Sequence, residues 1–295
     1  MKGIPRSYLY VPADRPRFLR RAFDAGADAV ILDLEDAVAP SRKDAARAAA
    51  LSTLSDRPDG IEVWVRLNSG RRGLEDATAV LSNGGADGIW MPKAESGQHF
   101  RELTALIAEV APVTVLGLLV ESASGLLGLG AMIDHHAVGR LQIGEVDLRA
   151  DLSMPAVGDD FERLSLARSW LIMYAASVHL PPPVAPVSVD VSDMEAFRST
   201  SQRLKEMGFG GRACIHPAQV AVANETFGVG PDELAAAHAL IDEFDRRAEK
   251  GEGAFRDADG AMVDEATVRR ARMLTGRMAG HGCPPAPTGL GVVGL

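Results

Sequence analysis

Apolar runs recur along the chain at intervals that leave room for one helix between neighbours. They read SYLYV at 7–11, AVILDL at 29–34, IEVWVRL at 61–67, DGIWM at 87–91, VTVLGLLV at 113–120, RLQIG at 140–144, PVSVD at 186–190 and RACIH at 212–216. Helix-period patterns lie near 15–25, 41–54, 73–83, 97–110, 124–132, 160–178, 193–207 and 217–226. Near-continuous apolar strands alternating with helices belong to a parallel sheet covered on its outer face. Eight such units predict a closed (β/α)8 TIM barrel rather than an open sheet. Two stretches show the unit in miniature, AGADAVILDLED at 25–36 and GGADGIWMPKAE at 84–95: a helix-ending Gly, Ala-Asp, then a strand that ends in polar residues.

The barrel is expected over 1–230. Helical patterns at 231–249 and 264–279, joined by GEGAFRDADGAMV, which reads as a loop, predict an appended helical element over 231–280. The tail at 281–295, with CPPAPTGLGVVGL, is rich in Pro and Gly and reads as irregular.

Composition narrows the function classes. With 46% hydrophobic and 24% charged residues, the 295-residue chain carries enough apolar material for a large core. A formal charge of −9 argues against a general nucleic-acid surface and leaves only a local basic patch for an anionic small molecule. Cys214 and Cys283 cannot make a disulfide framework, and Cys214, in GRACIHP, reads as a small buried thiol. The first residues hold only about five apolar positions in a row before Pro and Asp, so the expectation is a cytoplasmic protein without membrane insertion.

Barrel enzymes gather their chemistry at the carboxyl ends of the strands. Those ends read Pro12-Ala-Asp14-Arg15, Asp33-Leu-Glu35-Asp36, Arg66-Leu-Asn68, Pro92-Lys93, Glu121-Ser122, Glu145-Val-Asp147, Asp190 and His216-Pro217. Glu121 and Asp147, on adjacent strand ends without a neighbouring His or Cys, form a hard oxygen pair that suits Mg2+; the alternative is that both cap helices or pair with arginine. Arg66 reads as either an ion-pair partner or a donor to a developing oxyanion, its place at the mouth favouring the donor. Lys93 reads more weakly, as a rim charge. His135 and His136 are expected at the opposite end of the barrel, on the surface.

Taken in order, these motifs resemble the HpcH/HpaI aldolase and citrate lyase superfamily, in its citrate lyase β-subunit-like (CoA-ester lyase) branch. RSYLYVPADRP is similar to the opening RS-x-L-F-V-P-G-x-R-P, with Ala13 where Gly is usual. DAVILDLEDAVAPSRKDAAR, WVRLNS, MPKAES, LLVESASG with Ser122 in a Thr position, LQIGEVDLRADL and GFGGRACIHPAQV follow the family patterns in sequence.

The resemblance implies a trimeric or hexameric barrel that breaks or forms a C–C bond beside a CoA thioester. It places Glu121 and Asp147 on the Mg2+ ligands and Arg66 on the carbonyl-polarising arginine, with Glu35 and Asp36 near the metal as acceptors for its waters or as partners of Arg66. Asp33 is then expected to be structural. GAFRDADGAMVDEATVRRA resembles the family's C-terminal lid, which puts Asp264 on a catalytic aspartate donated to a neighbouring subunit. Pro12, Arg15 and Lys93, together with Arg66 and Glu121, fall where CoA thioester and 2-oxo acid bind. Arg15, Arg17, Arg20 and Arg21 are positioned to meet CoA phosphates, a solvated helix face being the other reading of Arg17 and Arg21. The same scaffold also accommodates a malyl-CoA thioesterase, a citrate lyase β subunit that needs partner subunits, or a pyruvate aldolase without CoA.

Overall fold

The computed structural model describes residues 3–155, 161–257 and 260–279. Strands β1 (Ser7–Pro12), β2 (Ala29–Asp33), β3 (Glu62–Arg66), β4 (Gly88–Met91), β5 (Val115–Val120), β6 (Val138–Ile143), β7 (Val184–Ala185) and β8 (Gly211–Cys214) close in chain order into a barrel. Every pairing around it is parallel, including the closing pair of the first and last strands. The helices between them are α1 (Pro16–Ala22), α2 (Lys43–Ser55), α3 (Gly70–Asn83), α4 (Gln98–Val110), α5 (Ala123–Leu127), α6 (Glu145–Asp151), α7 (Ser165–Ser177) and α8 (Met194–Met207), with α9 (Pro217–Phe227) after β8. This is a (β/α)8 TIM barrel.

Strand alternation sorts the side chains into two layers. Val30, Leu32, Val63, Val65, Leu118 and Cys214 pack outward among the helices, while Tyr8, Ala29, Ile31, Trp64, Trp90, Val184 and Ala213 fill the barrel. Large and small residues alternate across neighbouring strands. A Cβ on Gly88 would lie 2.2 Å from Trp64, and one on Gly117 would lie 2.3 Å from Trp90, so the two indoles occupy space that glycine leaves. Their rings meet at 5.2 Å, and Tyr8 stands edge-on to Trp90 at 6.4 Å. Cys214 is buried, as expected, and burial pushes its thiol up to about 12.

The Ala-Asp positions of the repeated motif serve the other, amino-terminal end of the barrel. Asp28 accepts from Arg6 Nε and Nη2 at 2.7 and 2.9 Å and from the Arg6 backbone at 2.9 Å. Asp87 binds Arg57 and accepts from the Val63 backbone at 2.8 Å. Gly26, with φ +72°, lets the chain turn from helix to strand ahead of the first of these.

Three local expectations are corrected. β7 is two residues long and lies ahead of the predicted 186–190 run, because Pro186 supplies no N–H to a ladder and Val187 onward leaves the barrel wall. A short helix, α6, occupies EVDLRAD, where the sequence suggested only a strand end. Within the segment read as a loop, Ala254–Arg256 and Met262–Asp264 form an antiparallel hairpin. His135 and His136 precede β6 at the end of the barrel opposite the strand carboxyl ends. The Cys283 position and the 281–295 tail lie outside the described residues.

The chain divides into two compact units, Pro5–Gly228 and the residues from Val229 onward together with the first four. In the second unit, α10 (Pro231–Ala248), β9 (Ala254–Arg256), β10 (Met262–Asp264) and α11 (Glu265–Ala279) surround a small core of Phe244, Phe255, Val263 and Val268. Among the described residues, no helix is long and apolar enough to cross a membrane.

Candidate active site

The carboxyl ends of β2 to β6 bring the charged residues together. Asp33 and Arg66 are the last residues of adjacent strands and stand opposite each other in register. Arg66 Nε and Nη2 donate to the two oxygens of Asp33 at 2.7 and 2.6 Å, a bidentate pair in which both side chains are largely buried. Asp33 Oδ1 also accepts the Glu35 backbone N–H at 2.8 Å. Burial alone would pull the Arg66 guanidinium down, but the charge of Asp33 and its hydrogen bond outweigh it, and the net shift is upward.

Asp33 is therefore the principal partner of Arg66, the role the sequence reading divided between Glu35 and Asp36. Glu35, two residues on and facing the same way, brings Oε2 within 3.1 Å of Arg66 Nη1 but out of line for a hydrogen bond, so that buried oxygen has no donor. Its Oε1 accepts from Lys93 Nζ at 2.9 Å. Burial raises the Glu35 carboxyl despite these cations. Asp36 points to the rim, 54% exposed and 3.8 Å from Lys93 Nζ.

Lys93 has a left-handed backbone, φ +48°, unusual for a residue with a Cβ. That turn aims its N–H at Glu121 Oε1, 2.6 Å away, while the side chain reaches Glu35. Lys93 thus ties two carboxylates together, and its own charge is favoured first by the hydrogen bond to Glu35.

Glu121 follows β5 and is buried, 3% exposed. Burial pushes its carboxyl up to about 8, the charges of Glu35 and Asp147 adding to the rise and the Lys93 N–H and Arg66 opposing it. Space for it is reserved by Gly144, where a Cβ would lie 2.6 Å from Glu121 Oε2. Asp147 sits in the first turn of α6, half-buried, and no ion pair among the described residues engages it. Its neighbour Glu145 is held by Arg168 at 2.5 and 2.9 Å, so of the two acids in that turn only Glu145 is ion-paired among the described residues. Among the described residues neither Glu121 nor Asp147 is paired with an arginine, while Asp147 does occupy the first turn of a helix.

These observations fit a hard divalent cation. Glu121 is buried with no ion pair among the described residues and feels the charges of Asp147 and Glu35, whose Oε2 has no hydrogen-bond donor. Among the described residues no three of His, Cys, Asp and Glu converge as a cage. A pair of carboxylates that leaves the remaining positions to water and substrate suits Mg2+.

At the rim, Asp14 is buried and holds Arg42 Nε at 2.9 Å and Arg15 Nε at 3.5 Å, with both guanidinium groups more than half exposed. Pro12 ends β1 beside Asp33. Ser122 caps α5 through the Gly125 N–H at 2.9 Å and donates to Glu95 at 2.6 Å. Asp264 belongs to the second unit, where its Oδ1 accepts the Thr267 N–H and hydroxyl, both at 3.0 Å, bonds that hold its carboxyl below the usual range.

The model of the HpcH/HpaI aldolase/citrate lyase family matches residues 6–217. The chain belongs to this family. It is 32% identical to a citrate lyase subunit beta-like protein of Deinococcus radiodurans, over 92% of this chain and 96% of that one. It is equally 32% identical to a (3S)-malyl-CoA thioesterase of Cereibacter sphaeroides, covering 92% of each. Among solved structures, CitE of Mycobacterium tuberculosis in complex with magnesium, acetoacetate and coenzyme A superposes with a TM-score of 0.74 at 29% identity, over 94% of this chain and 98% of that one.

Within the family frame, sequence reasoning missed Tyr10, Gln142 and Gly144. Tyr10 lies under Arg66, whose guanidinium carbon is 5.0 Å from the ring centroid, and its hydroxyl donates to Gln142 Oε1 at 2.9 Å. The available signal was parity: Tyr8 and Tyr10 alternate into the interior as Asp33 and Glu35 do.

Proposed function

We propose that the protein is a Mg2+-dependent carbon–carbon lyase, reversible as a synthase, that splits a 3-hydroxyacyl-CoA of malyl, citramalyl or citryl type into an acyl-CoA and a 2-oxo acid. The observation that carries this reading is a buried Glu121 without an ion pair among the described residues, within the field of Asp147 and of an Arg66 locked by Asp33. The magnesium, acid and coenzyme A named for the CitE structure support it.

In cleavage, a carboxylate base takes the proton of the substrate hydroxyl, which becomes the carbonyl of the oxo acid; the electron pair of the broken C–C bond passes to the thioester as an enolate, and the proton held by the base can return to the acyl carbon. Glu121 and Asp147 would hold Mg2+, which supplies positive charge to the acid's oxygens when bound. Arg66, with Nε and one Nη2 hydrogen given to Asp33, keeps its remaining N–H edge for oxygen in the mouth, preorganised where negative charge develops. Lys93 holds Glu35 and Glu121 in place. Arg15 contributes cationic rim for the CoA phosphates, with Pro12 shaping the entrance.

For the protein to exchange a proton with the acyl carbon, a further group is needed. We assign that role to Asp264, donated to the mouth of a neighbouring copy in a trimer or hexamer acting in the cytoplasm. Mixing inactive Glu121→Ala and Asp264→Ala preparations tests this: regained turnover supports donation between copies, and none sinks it.

The likeness to a malyl-CoA thioesterase favours one second reading, hydrolysis of the thioester by water. Incubation with malyl-CoA separates the two. Glyoxylate plus acetyl-CoA is expected; malate plus CoA without glyoxylate would overturn the lyase. Turnover by the purified chain alone would also exclude strict dependence on partner subunits.

A further inference from the structure

Tyr10 is on β1 and Gln142 on β6, strands that are not neighbours in the barrel, so their 2.9 Å hydrogen bond crosses the interior. The Tyr10 ring carries Arg66 on its face, and the ring is within electrostatic reach of Arg66, Asp33 and Glu121 at once. The ring packs against the aromatic plug of the barrel and forms the floor under Arg66.

Gln142 is 3% exposed. With its Oε1 taken by Tyr10, its Nε2 makes no hydrogen bond among the described residues. The amide nitrogen is not among the buried atoms left without a partner, so its two N–H donors remain accessible to an acceptor. The surroundings name the acceptor. Glu121 follows the strand paired with β6, at the next interior level above the Leu119 that faces Gln142, and Arg66 lies across the Tyr10 ring. An anion seated between Arg66 and the carboxylate pair comes within the span of this floor.

We propose that Tyr10 and Gln142 form a crossbar under the acid-binding pocket, in which Tyr10 is a positioning residue for Arg66 and the Gln142 amide donates to a carboxylate or carbonyl oxygen of the bound 2-oxo acid. The crossbar rests on the lyase reading for the identity of that acid. Pinning the ring by its hydroxyl removes the tilt a Phe would retain, so Arg66 keeps one height over the floor. The amide then favours an acid whose oxygens reach down to it over one that presents alkyl groups there, because an apolar substituent would leave both N–H groups unpaired.

The full-length protein with Mg2+ tests this with two variants. Gln142→Met keeps volume and removes both polar atoms; Tyr10→Phe removes a single oxygen and leaves the ring. Calorimetric titration with glyoxylate and pyruvate is expected to show about tenfold weaker acid binding in Gln142→Met, the order of one hydrogen bond to a charged group. Tyr10→Phe is expected to lower kcat about tenfold with KM for the CoA thioester within about twofold, as for an interaction expressed in the transition state. The double variant should be no worse than the larger single defect, since each change breaks the same bond. Unchanged acid affinity in Gln142→Met, or a loss confined to Tm in both variants, overturns the crossbar. A wild-type protein that binds the acid but turns over no CoA thioester refutes the lyase reading and leaves the crossbar standing on its binding result. If wild type binds neither acid, both fall.

Discussion

The two ends of the barrel use carboxylates in opposite ways. At the amino-terminal end, Asp28 and Asp87 each bind an arginine and a backbone N–H that starts a strand. At the carboxyl end Asp33 and Glu145 are bound by arginines, but Glu35 has an orphaned oxygen, Glu121 a single backbone donor, and Asp147 no ion pair among the described residues. Below lies a buried aromatic plug of Tyr8, Trp64 and Trp90, and above it a cleft of incompletely satisfied acids. Spending every polar valence builds stability, whereas withholding some leaves valences for a ligand and costs stability until that ligand binds.

The sharpest way to break this contrast is to delete an open carboxylate. Glu121→Ala or Asp147→Ala is expected to cut Mg2+-dependent turnover roughly 10³-fold, several kcal/mol of lost charge stabilisation, and to abolish the rise in Tm on adding Mg2+. Steady-state kinetics and thermal melts with and without the metal check it, and full activity in both variants would defeat the assignment. At the plug the loss takes the other form. Trp64→Ala should cost about 3–5 kcal/mol in urea denaturation, with kcat per folded molecule changed far less than in the mouth variants.

A third test uses the sign of titration. Glu121 is raised, to about 8, so the folded metal-free protein binds its proton more tightly than the unfolded chain does. Its ionisation costs nothing below the ordinary carboxylate range and an increasing amount as pH rises from there to about 8. Glu121→Gln should therefore be more stable than wild type in EDTA at pH 8, by on the order of a few kcal/mol, and equal to it near pH 4. Equal stabilities at pH 8 would refute the buried-charge account.

Asp28 supplies the smallest and opposite effect. Burial would raise it, but the hydrogen bonds and charge of Arg6 prevail and its carboxyl is lowered. Its contribution is complete above the unfolded value of 3.8 and is lost as pH falls through the folded one. Asp28→Asn should cost about 1 kcal/mol at pH 7 and progressively less below pH 4 by urea denaturation. A gap that widens on acidification would contradict it.

Strand and helix periods were readable because burial on both faces demands continuous apolar runs, and the barrel demands their repetition. β7 was misplaced because two residues between prolines carry too little pattern to mark a strand. The hairpin of the second unit was read as a loop because its Gly and Asp residues resemble a turn, while its only core contributions are Phe255 and Val263. In the site, Arg66, Glu121, Asp147 and Lys93 were visible as polar residues ending apolar runs. The partner of Arg66 was not, since choosing among Asp33, Glu35 and Asp36 requires the register of β2 against β3.

By itself the sequence determined the number and order of the strand–helix units, the face each strand buries, and the supply of carboxylates at the strand ends. Those follow from local periodicity and side-chain chemistry, which neighbours along the chain already specify. Tertiary structure alone decided which acids are spent and which stay open, that Gly144 makes room for Glu121, and that Tyr10 meets Gln142 across the interior. Closure of the barrel brings residues more than a hundred positions apart to within a hydrogen bond, and no pattern along the chain encodes that distance.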